Sequence, residues 1–226
     1  MSASRISRII LAALLVGGLS SAIAQDKAVN IDDLKRRSDG GDNKATRQLA
    51  EMYYAGRDGV EQDFKEAIRW YERLAKRNDR RAQTTLGTIY ARGYGVEKNF
   101  DIARYWWTQA AKRDDAGAQY NLGTLYYRGE GVTQDYAEAA RWYRQAAQIG
   151  HVNSQKNLAA MYWEGKGVEK NAQVAYYWFK VAALLGDDES QESLKIVGKA
   201  MPAGQIRDAE SQADDWMSKY KRIVGK

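Results

Sequence analysis

A repeat of 36 residues is the feature of this sequence that most constrains its fold. Each unit has a tryptophan with one alanine three residues before it and another five residues after it, at Trp70, Trp106, Trp142 and Trp178. A leucine series precedes these tryptophans, at Leu49, Leu86, Leu122, Leu158 and Leu194. A chain with such a period folds as an array of similar units that bury their apolar faces on one another.

Each unit is predicted to contain two helices joined by a glycine-rich turn. In the second unit Ala82, Leu86 and Tyr90 have helical spacing, and Ala103 and Trp107 belong to a second stripe of the same kind. Glycine pairs lie between the stripes, where a left-handed backbone is favoured, at Gly56 and Gly59, Gly93 and Gly95, Gly129 and Gly131, and Gly165 and Gly167.

A short polar residue stands where the second helix of each unit begins, at Asp63, Asn99, Asp135 and Asn171. Such side chains accept hydrogen bonds from the free N–H groups of a first helical turn, so these four residues are predicted to be N-caps. Asp63 with Glu66, and Asp135 with Glu138, also have the spacing of a capping box.

The third unit carries the fullest form of the pattern, which reads Ala118-x-x-x-Leu122-Gly123-x-x-Tyr126-x-x-Gly129-x-Gly131-Val132-x-x-Asp135-x-x-x-Ala139-x-x-Trp142-Tyr143-x-x-Ala146-Ala147-x-x-Gly150. This pattern resembles the Sel-one-like repeat family, a subclass of the tetratricopeptide-repeat superfamily. The resemblance implies an all-α, right-handed α-solenoid of antiparallel helix-turn-helix repeats with a concave face. Departures are small: Ala50 and Ala159 replace a family glycine, and Asn78 and Asp114 replace the glycine that closes a unit.

The repeats set the expected domain boundaries. Four units are placed at residues 45–81, 82–117, 118–153 and 154–189. Residues 25–44 are expected to form an N-terminal cap. Residues 190–226 are expected to form a degenerate fifth repeat and C-terminal cap, because Ser190 and Leu194 continue the first-helix pattern and Ala213-x-x-Trp216 echoes the second.

Residues 1–24 have the layout of a cleavable signal peptide. Arg5 and Arg8 precede an apolar run over residues 9–19, and small residues at 22–24 predict cleavage before Gln25. We therefore expect a periplasmic protein, with secretion as the second choice and an uncleaved anchor as the alternative. The run is short for a membrane span, so no stable span is expected after cleavage. The chain has no cysteine, so its fold depends on packing without disulfides.

The residue inventory argues against catalysis. The chain has one histidine, His151, and no cysteine, so a zinc site or a cysteine nucleophile lacks its ligands or its thiol. We predict no catalytic residue, no metal and no cofactor, and we interpret His151 as a surface turn residue. Removal of the leader leaves 33 basic and 29 acidic residues, a net charge of +4, and with export this argues against nucleic acid as a partner.

The resemblance implies that the first helix of each unit lines the concave face. The candidate partner-binding residues on these helices are Tyr54, Arg92, Tyr120, Asn121, Thr124, Tyr127, Arg128, Lys156, Asn157 and Trp163. Aromatic and Arg side chains are enriched at binding hot spots, and the amides of Asn121 and Asn157 suit a peptide backbone. The alternative is that the aromatic side chains only pack between neighbouring units.

The leading hypothesis is a non-enzymatic periplasmic scaffold or regulatory adaptor that binds an envelope protein or an extended peptide in its groove, centred on units three and four. The alternative is a protein that binds the cell wall or a polysaccharide, with peptidoglycan or another anionic glycan as its partner. A third class, a hydrolase acting on cell-wall or β-lactam substrates, is disfavoured by the residue inventory.

Overall fold

The computed structural model describes residues 29–225, and this part of the chain consists of eleven α-helices with no strand. The predicted signal peptide lies outside the described residues. The helices are α1 (Ile31–Asp39), α2 (Asn43–Ala55), α3 (Phe64–Lys76), α4 (Arg80–Arg92), α5 (Phe100–Ala111), α6 (Ala116–Arg128), α7 (Tyr136–Gln148), α8 (Val152–Glu164), α9 (Ala172–Leu184), α10 (Asp188–Gly198) and α11 (Ala203–Val224).

The chain divides into two compact units, one ending at Arg73 and the other beginning at Leu74, within α3. In the first unit, α1 packs against α2 around Leu34, Leu49 and Met52. A buried hydrogen bond of 2.7 Å between the hydroxyls of Ser38 and Thr46 joins the two helices. This helix, α1, lies within residues 25–44, the part of the chain that is expected to form an N-terminal cap.

In the second unit, each helix from α4 to α9 packs against the next one in sequence, and α11 packs against α9. Consecutive packing of paired helices is the arrangement of a helical solenoid, so the predicted all-α solenoid is confirmed. Ala209 and Ala213 of α11 are fully buried, as expected for a helix that covers the last apolar face. The Tyr220 ring lies over the turn glycine Gly150, where an added Cβ would come within 2.5 Å of it.

The predicted N-caps of the second helices are confirmed. Asp135 accepts from the N–H of Glu138 at 2.9 Å, and Asp63, Asn99 and Asn171 cap their helices in the same way. The capping box is not closed in the third unit, because the N–H of Asp135 donates to the carbonyl of Tyr126 at 3.0 Å. The Glu138 carboxylate instead accepts from Arg141, which lowers the pKa of that carboxyl.

The turn glycines adopt the predicted left-handed backbone, with φ of 70° at Gly129 and 72° at Gly131. Gly131 has a second constraint, because an added Cβ would lie 2.3 Å from the Cβ of Phe100 in the preceding unit. Gly167 stands in the same relation to Tyr136, whose backbone carbonyl carbon would lie 2.2 Å away. The second glycine of each of these turns is therefore needed for stacking as well as for the turn.

A small residue on the first helix of a unit allows an aromatic ring of the second helix to pack against its backbone. A Cβ added at Gly87 would lie 2.4 Å from the Trp107 indole, and one added at Gly123 would lie 2.6 Å from the Tyr143 ring. Trp107 and Tyr143 are buried in this position. The glycine therefore sets how closely the two helices of a unit approach.

In the second compact unit, a buried glutamine on the first helix of each of three repeats hydrogen-bonds to the helix that precedes it. These residues recur every 36 positions, and each Nε2 donates to a carbonyl at the end of the preceding helix: Gln83 to Ala75 at 3.1 Å, Gln119 to Ala111 at 3.2 Å, and Gln155 to Ala147 at 3.0 Å. Because all three side chains are buried, these hydrogen bonds are shielded from competition by water.

The first helices are also capped, and His151 fills this role where the other units have Asp. Asp79, Asp115 and Asp187 each accept from a first-turn N–H, whereas His151 accepts from Ser154 through Nδ1 at 3.3 Å. The imidazole is half-buried against the Tyr120 ring, with the ring centres 4.8 Å apart. The interpretation of His151 as a surface turn residue was therefore wrong, because the capping role of this position places its side chain between two units.

We predict that Gly123→Ala destabilises the protein by about 1–3 kcal/mol, because the added methyl group overlaps the Tyr143 ring in a packed interface. Gly204→Ala is the matched control. Its Cβ would meet nothing within 4 Å, and alanine favours the helix that contains it, so stability should stay the same or rise by up to about 1 kcal/mol. Urea unfolding followed by circular dichroism measures both. Equal effects of the two changes would contradict the packing constraint.

We predict that His151 makes the protein less stable in mild acid. Burial lowers the pKa of its imidazole, although the nearby Asp115 opposes this shift. The folded-state pKa lies below the unfolded value of about 6.5. The stabilisation by neutral His151 is therefore complete above about pH 6.5, and it is lost as the pH falls below this value and through the folded-state pKa. A protonated Nδ1 cannot accept the Ser154 N–H, so a loss of up to about 1 kcal/mol in the free energy of unfolding is expected.

His151→Asn retains a capping side chain without titrating. The unfolding free energy of this variant, measured between about pH 7.5 and 5, should fall less than that of the parent; parallel profiles would contradict the prediction.

Candidate functional site

Three clefts lie between successive first helices of the second compact unit. The first cleft, about 380 Å³, lies between α4 and α6 and is lined by Thr88, Ala91, Arg92, Tyr94, Lys98, Phe100, Trp107, Asn121, Thr124, Leu125, Arg128 and Glu130. The second cleft, about 240 Å³, lies between α6 and α8 and is lined by Tyr120, Thr124, Tyr127, Arg128, Tyr143, Asn157, Ala160, Met161 and Glu164. The third cleft, about 360 Å³, lies between α8 and α10 and is lined by Tyr120, Asn153, Lys156, Asn157, Ala160, Phe179, Glu189 and Ser193.

Shared residues connect the three clefts. Thr124 and Arg128 line both the first and the second, and Tyr120, Asn157 and Ala160 line both the second and the third. The clefts therefore form one continuous depression along α4, α6, α8 and α10, which we call the groove.

Eight of the ten candidate residues lie in the groove: Arg92, Tyr120, Asn121, Thr124, Tyr127, Arg128, Lys156 and Asn157. Trp163 lies on α8 outside the lining of these clefts, and Lys170 Nζ stands 5.5 Å from the centre of its ring. Tyr54 belongs to the first compact unit, where its ring packs edge-on against Phe64 at 5.5 Å. The structure thus brings most of the candidates together, and partner binding by them stays a prediction.

The first cleft is basic. Arg92, Lys98 and Arg128 line it together with a single acid, Glu130. Arg128 Nη1 lies 3.6 Å from Glu130 Oε1, which is longer than a hydrogen bond, and the Arg128 side chain is 63% exposed. Asn121 also lines this cleft, and within residues 29–225 its amide has no side-chain hydrogen-bond partner.

Several lining residues of the second cleft make contacts within the protein. Lys166 Nζ donates to the Tyr127 hydroxyl at 3.3 Å and lies 5.5 Å from the ring centre. Its ion pair of 3.0 Å with Glu164, reinforced by the Tyr127 hydroxyl, raises the pKa of Lys166 to about 12. The Thr124 and Tyr143 hydroxyls share a hydrogen bond of 3.1 Å. Tyr127 and Thr124 are therefore held in place before any ligand arrives.

The third cleft contains a neutralised cation. Lys156 Nζ lies 2.8 Å from Glu189 Oε2 and 3.1 Å from Asp187 Oδ1. These two carboxylates raise the pKa of Lys156 and stabilise its charged form. The positive charge of Lys156 is therefore balanced by these two carboxylates, and it attracts other anions less than an unpaired lysine would.

Two of the candidate residues also contact the N-cap of the following unit. The same register position makes this contact in three successive units: Thr84 Oγ1 donates to Asp115 Oδ1 at 3.0 Å, the Tyr120 ring packs on the His151 ring, and Lys156 pairs with Asp187. Sequence reasoning missed these contacts, although the spacing of 36 residues between Asp79, Asp115, His151 and Asp187 was a signal for them. Tyr120 and Lys156 therefore both contact the next unit and line the groove.

Residues 29–225 hold no group of three or more His, Asp or Glu side chains arranged to bind a metal ion. In the same part of the chain, no helix combines the length and the apolar character needed to cross a membrane. The imidazole of His151 is engaged in capping α8, where Nδ1 also lies 3.0 Å from the Ser154 hydroxyl.

Comparison with known proteins bears on the repeat directly. Four consecutive segments match the family model described as the Sel1 repeat, at residues 43–79, 80–115, 116–151 and 152–187. Each segment begins at the first residue of a first helix, two residues before the unit expected from the sequence pattern. No curated protein matches the chain.

Two solved structures are similar over most of this chain. One is a protective antigen present in uropathogenic Escherichia coli strains, which displays an SLR fold: it is 32% identical, with a TM-score of 0.75, over 84% of this chain and 41% of its own. The other is a Sel1 repeat protein from Oxalobacter formigenes, 29% identical with a TM-score of 0.68, over 82% of this chain and 78% of its own. This chain thus spans less than half the length of the Escherichia coli protein.

The 36-residue period, the helix pairs that it encodes and the match over residues 43–187 agree with one another, and this chain belongs to the Sel1 repeat family.

Proposed function

We propose that this protein is a periplasmic scaffold or adaptor that binds an extended segment of an envelope protein in the groove. Sel1 repeats are a non-enzymatic scaffold type that serves protein interaction. The observation that carries the proposal is the continuity of the three clefts along α4 to α10, because a continuous depression suits an extended chain better than a compact ligand.

Two amides support a peptide as the occupant. Asn121 lines the first cleft, and Asn157 lines both the second and the third. An amide side chain has a donor and an acceptor, so it matches both hydrogen-bonding groups of a peptide unit.

The aromatic side chains favour a peptide over a polysaccharide. Sugar recognition by stacking needs an open ring face, but Lys166 Nζ lies over the ring of Tyr127 and Lys170 Nζ over that of Trp163. Tyr120 is packed against both His151 and Tyr143. The rings of the groove thus serve mainly to shape its wall, and glycan binding is the weaker candidate.

The cellular location belongs to the same proposal. It rests on the basic start, the apolar run and the small residues of the first 24 positions. A chain without cysteine is compatible with an oxidising compartment, because it has no thiol to mispair there.

We predict that a photo-reactive residue in the groove captures a partner that the opposite helices do not. Asn153 is exposed in the third cleft, and Tyr105, 56% exposed on α5, is the matched position outside the groove. Benzoylphenylalanine placed at each position in the producing cell should give a discrete adduct from position 153 at several times the yield from position 105. Equal capture of the same proteins at both positions would refute the groove as the binding site.

We predict that the full chain, produced in a Gram-negative host, loses its first 24 residues and is released by osmotic shock. The mature protein should begin at Gln25, as read by intact mass and N-terminal sequencing. A protein that keeps Met1 and remains with the cytosolic or membrane fraction would contradict the proposed export.

A further inference from the structure

We propose that the first cleft binds carboxylates, so that the segment held in the groove is acidic and is anchored between α4 and α6. This inference rests on the proposed function, since it names the chemistry of the partner that the groove accepts. It comes from the distribution of charge among the three clefts, which the helical repeat itself does not dictate.

The first cleft carries an excess of positive charge. Arg92, Lys98 and Arg128 line it with one acid, Glu130. Among the described residues no carboxylate lies within ion-pair distance of Arg92 or Lys98, and the Arg128–Glu130 contact is a loose one at 3.6 Å. Three cations that face one cleft repel each other, and a bound anion relieves that repulsion.

Apart from Arg128, which the first and second clefts share, the cation that lines the rest of the groove is Lys156, and it is already neutralised. It pairs with Glu189 at 2.8 Å and with Asp187 at 3.1 Å, and Lys166, which contacts the second cleft's Tyr127, pairs with Glu164 at 3.0 Å. Unneutralised positive charge is therefore concentrated in the first cleft. An extended ligand with acidic side chains at one end has a preferred direction along such a groove.

The donors of the first cleft fit carboxylates on a peptide. Each guanidinium can bind a carboxylate through two parallel N–H groups, which a point charge such as Lys cannot do. The Asn121 amide is available to a backbone group beside the acidic side chain. Phe100 and Trp107 supply an apolar wall, with Lys98 Nζ 5.6 Å from the Phe100 ring centre. An acidic peptide can pair with the cations, hydrogen-bond to the Asn121 amide and pack against the apolar wall of this cleft.

The experiment measures binding of fluorescein-labelled oligoglutamate to the mature protein by fluorescence anisotropy, with oligoglutamine of the same length as the uncharged probe. Oligoglutamate should bind more tightly, and its binding should weaken with added salt because the contacts are ionic and exposed. Arg92→Gln with Arg128→Gln should weaken this binding roughly tenfold or more, as expected for the loss of two charge-assisted contacts.

A matched control removes the same charge elsewhere. Arg207→Gln with Lys219→Gln changes two exposed cations of α11, far along the chain from α4 and α6, and should leave binding within about twofold. Glu130→Gln removes the one competing acid and should strengthen binding by about twofold to fivefold, a gain that misfolding does not produce. Equal losses in the two cation pairs, or no preference for oligoglutamate over oligoglutamine, would overturn the inference.

Two further outcomes separate this inference from the proposed function. If a sulfated oligosaccharide of equal charge binds more tightly than oligoglutamate and loses this binding with Arg92→Gln and Arg128→Gln, the cleft recognises anionic glycans and the acidic peptide is refuted. If the adduct at position 153 survives those two substitutions undiminished, the groove still binds its partner and the carboxylate anchor is refuted. If capture is equal inside and outside the groove, the proposed function itself fails.

Discussion

The close contact between the first and second helix of each unit is the constraint on which the rest of the structure depends. In the second and third units a glycine on one helix and an aromatic ring on the other meet at a distance that leaves no room for a Cβ, as Gly123 and Tyr143 do, and the first and fourth units have the small residue alanine at this position. This contact fixes the separation of the helices, and the turn glycines fix their connection. Because a small residue recurs at this position in every unit, the same kind of close helix contact can be repeated along the array.

Contacts between units rely on polar groups as much as on apolar ones. A buried glutamine reaches the carbonyl end of the preceding helix, and an N-cap side chain meets the first helix of the unit before it. These are hydrogen bonds with specific geometry, so they set the register of stacking more sharply than apolar contacts do. The same pair of positions is a hydrogen bond between Thr84 and Asp115 in one place and a ring contact between Tyr120 and His151 in the next. The contact between units is thus retained when both residues differ.

The period of the sequence was sufficient to predict the helices, the turns and the second-helix caps, because these follow from spacing within one unit. Most of the candidate binding residues also lie in the groove, although other residues make up the larger part of its lining. The errors lie where two units meet. His151 was read as a surface turn residue, and the contact of Lys156 with Asp187 was missed, since each depends on a partner about 30 residues away. Trp163 and Tyr54 occupy the same position of their repeats as Tyr127, but they lie outside the groove lining described for the second compact unit. A helical pattern identifies the face of a side chain, but not the neighbour that covers it.

The residues that hold this fold together and those that give the groove its charge are largely different ones. Gly123, Gln119 and Asp115 make contacts between helices or cap them, whereas Arg92 and Asn121 line the first cleft. A substitution of Arg92 or Asn121 is expected to change the charge or polarity of the first cleft at little cost in stability. A repeat fold of this kind can therefore keep its packing rule and vary its ligand, which is why the family identifies the scaffold while the charge of the individual clefts has to identify the partner.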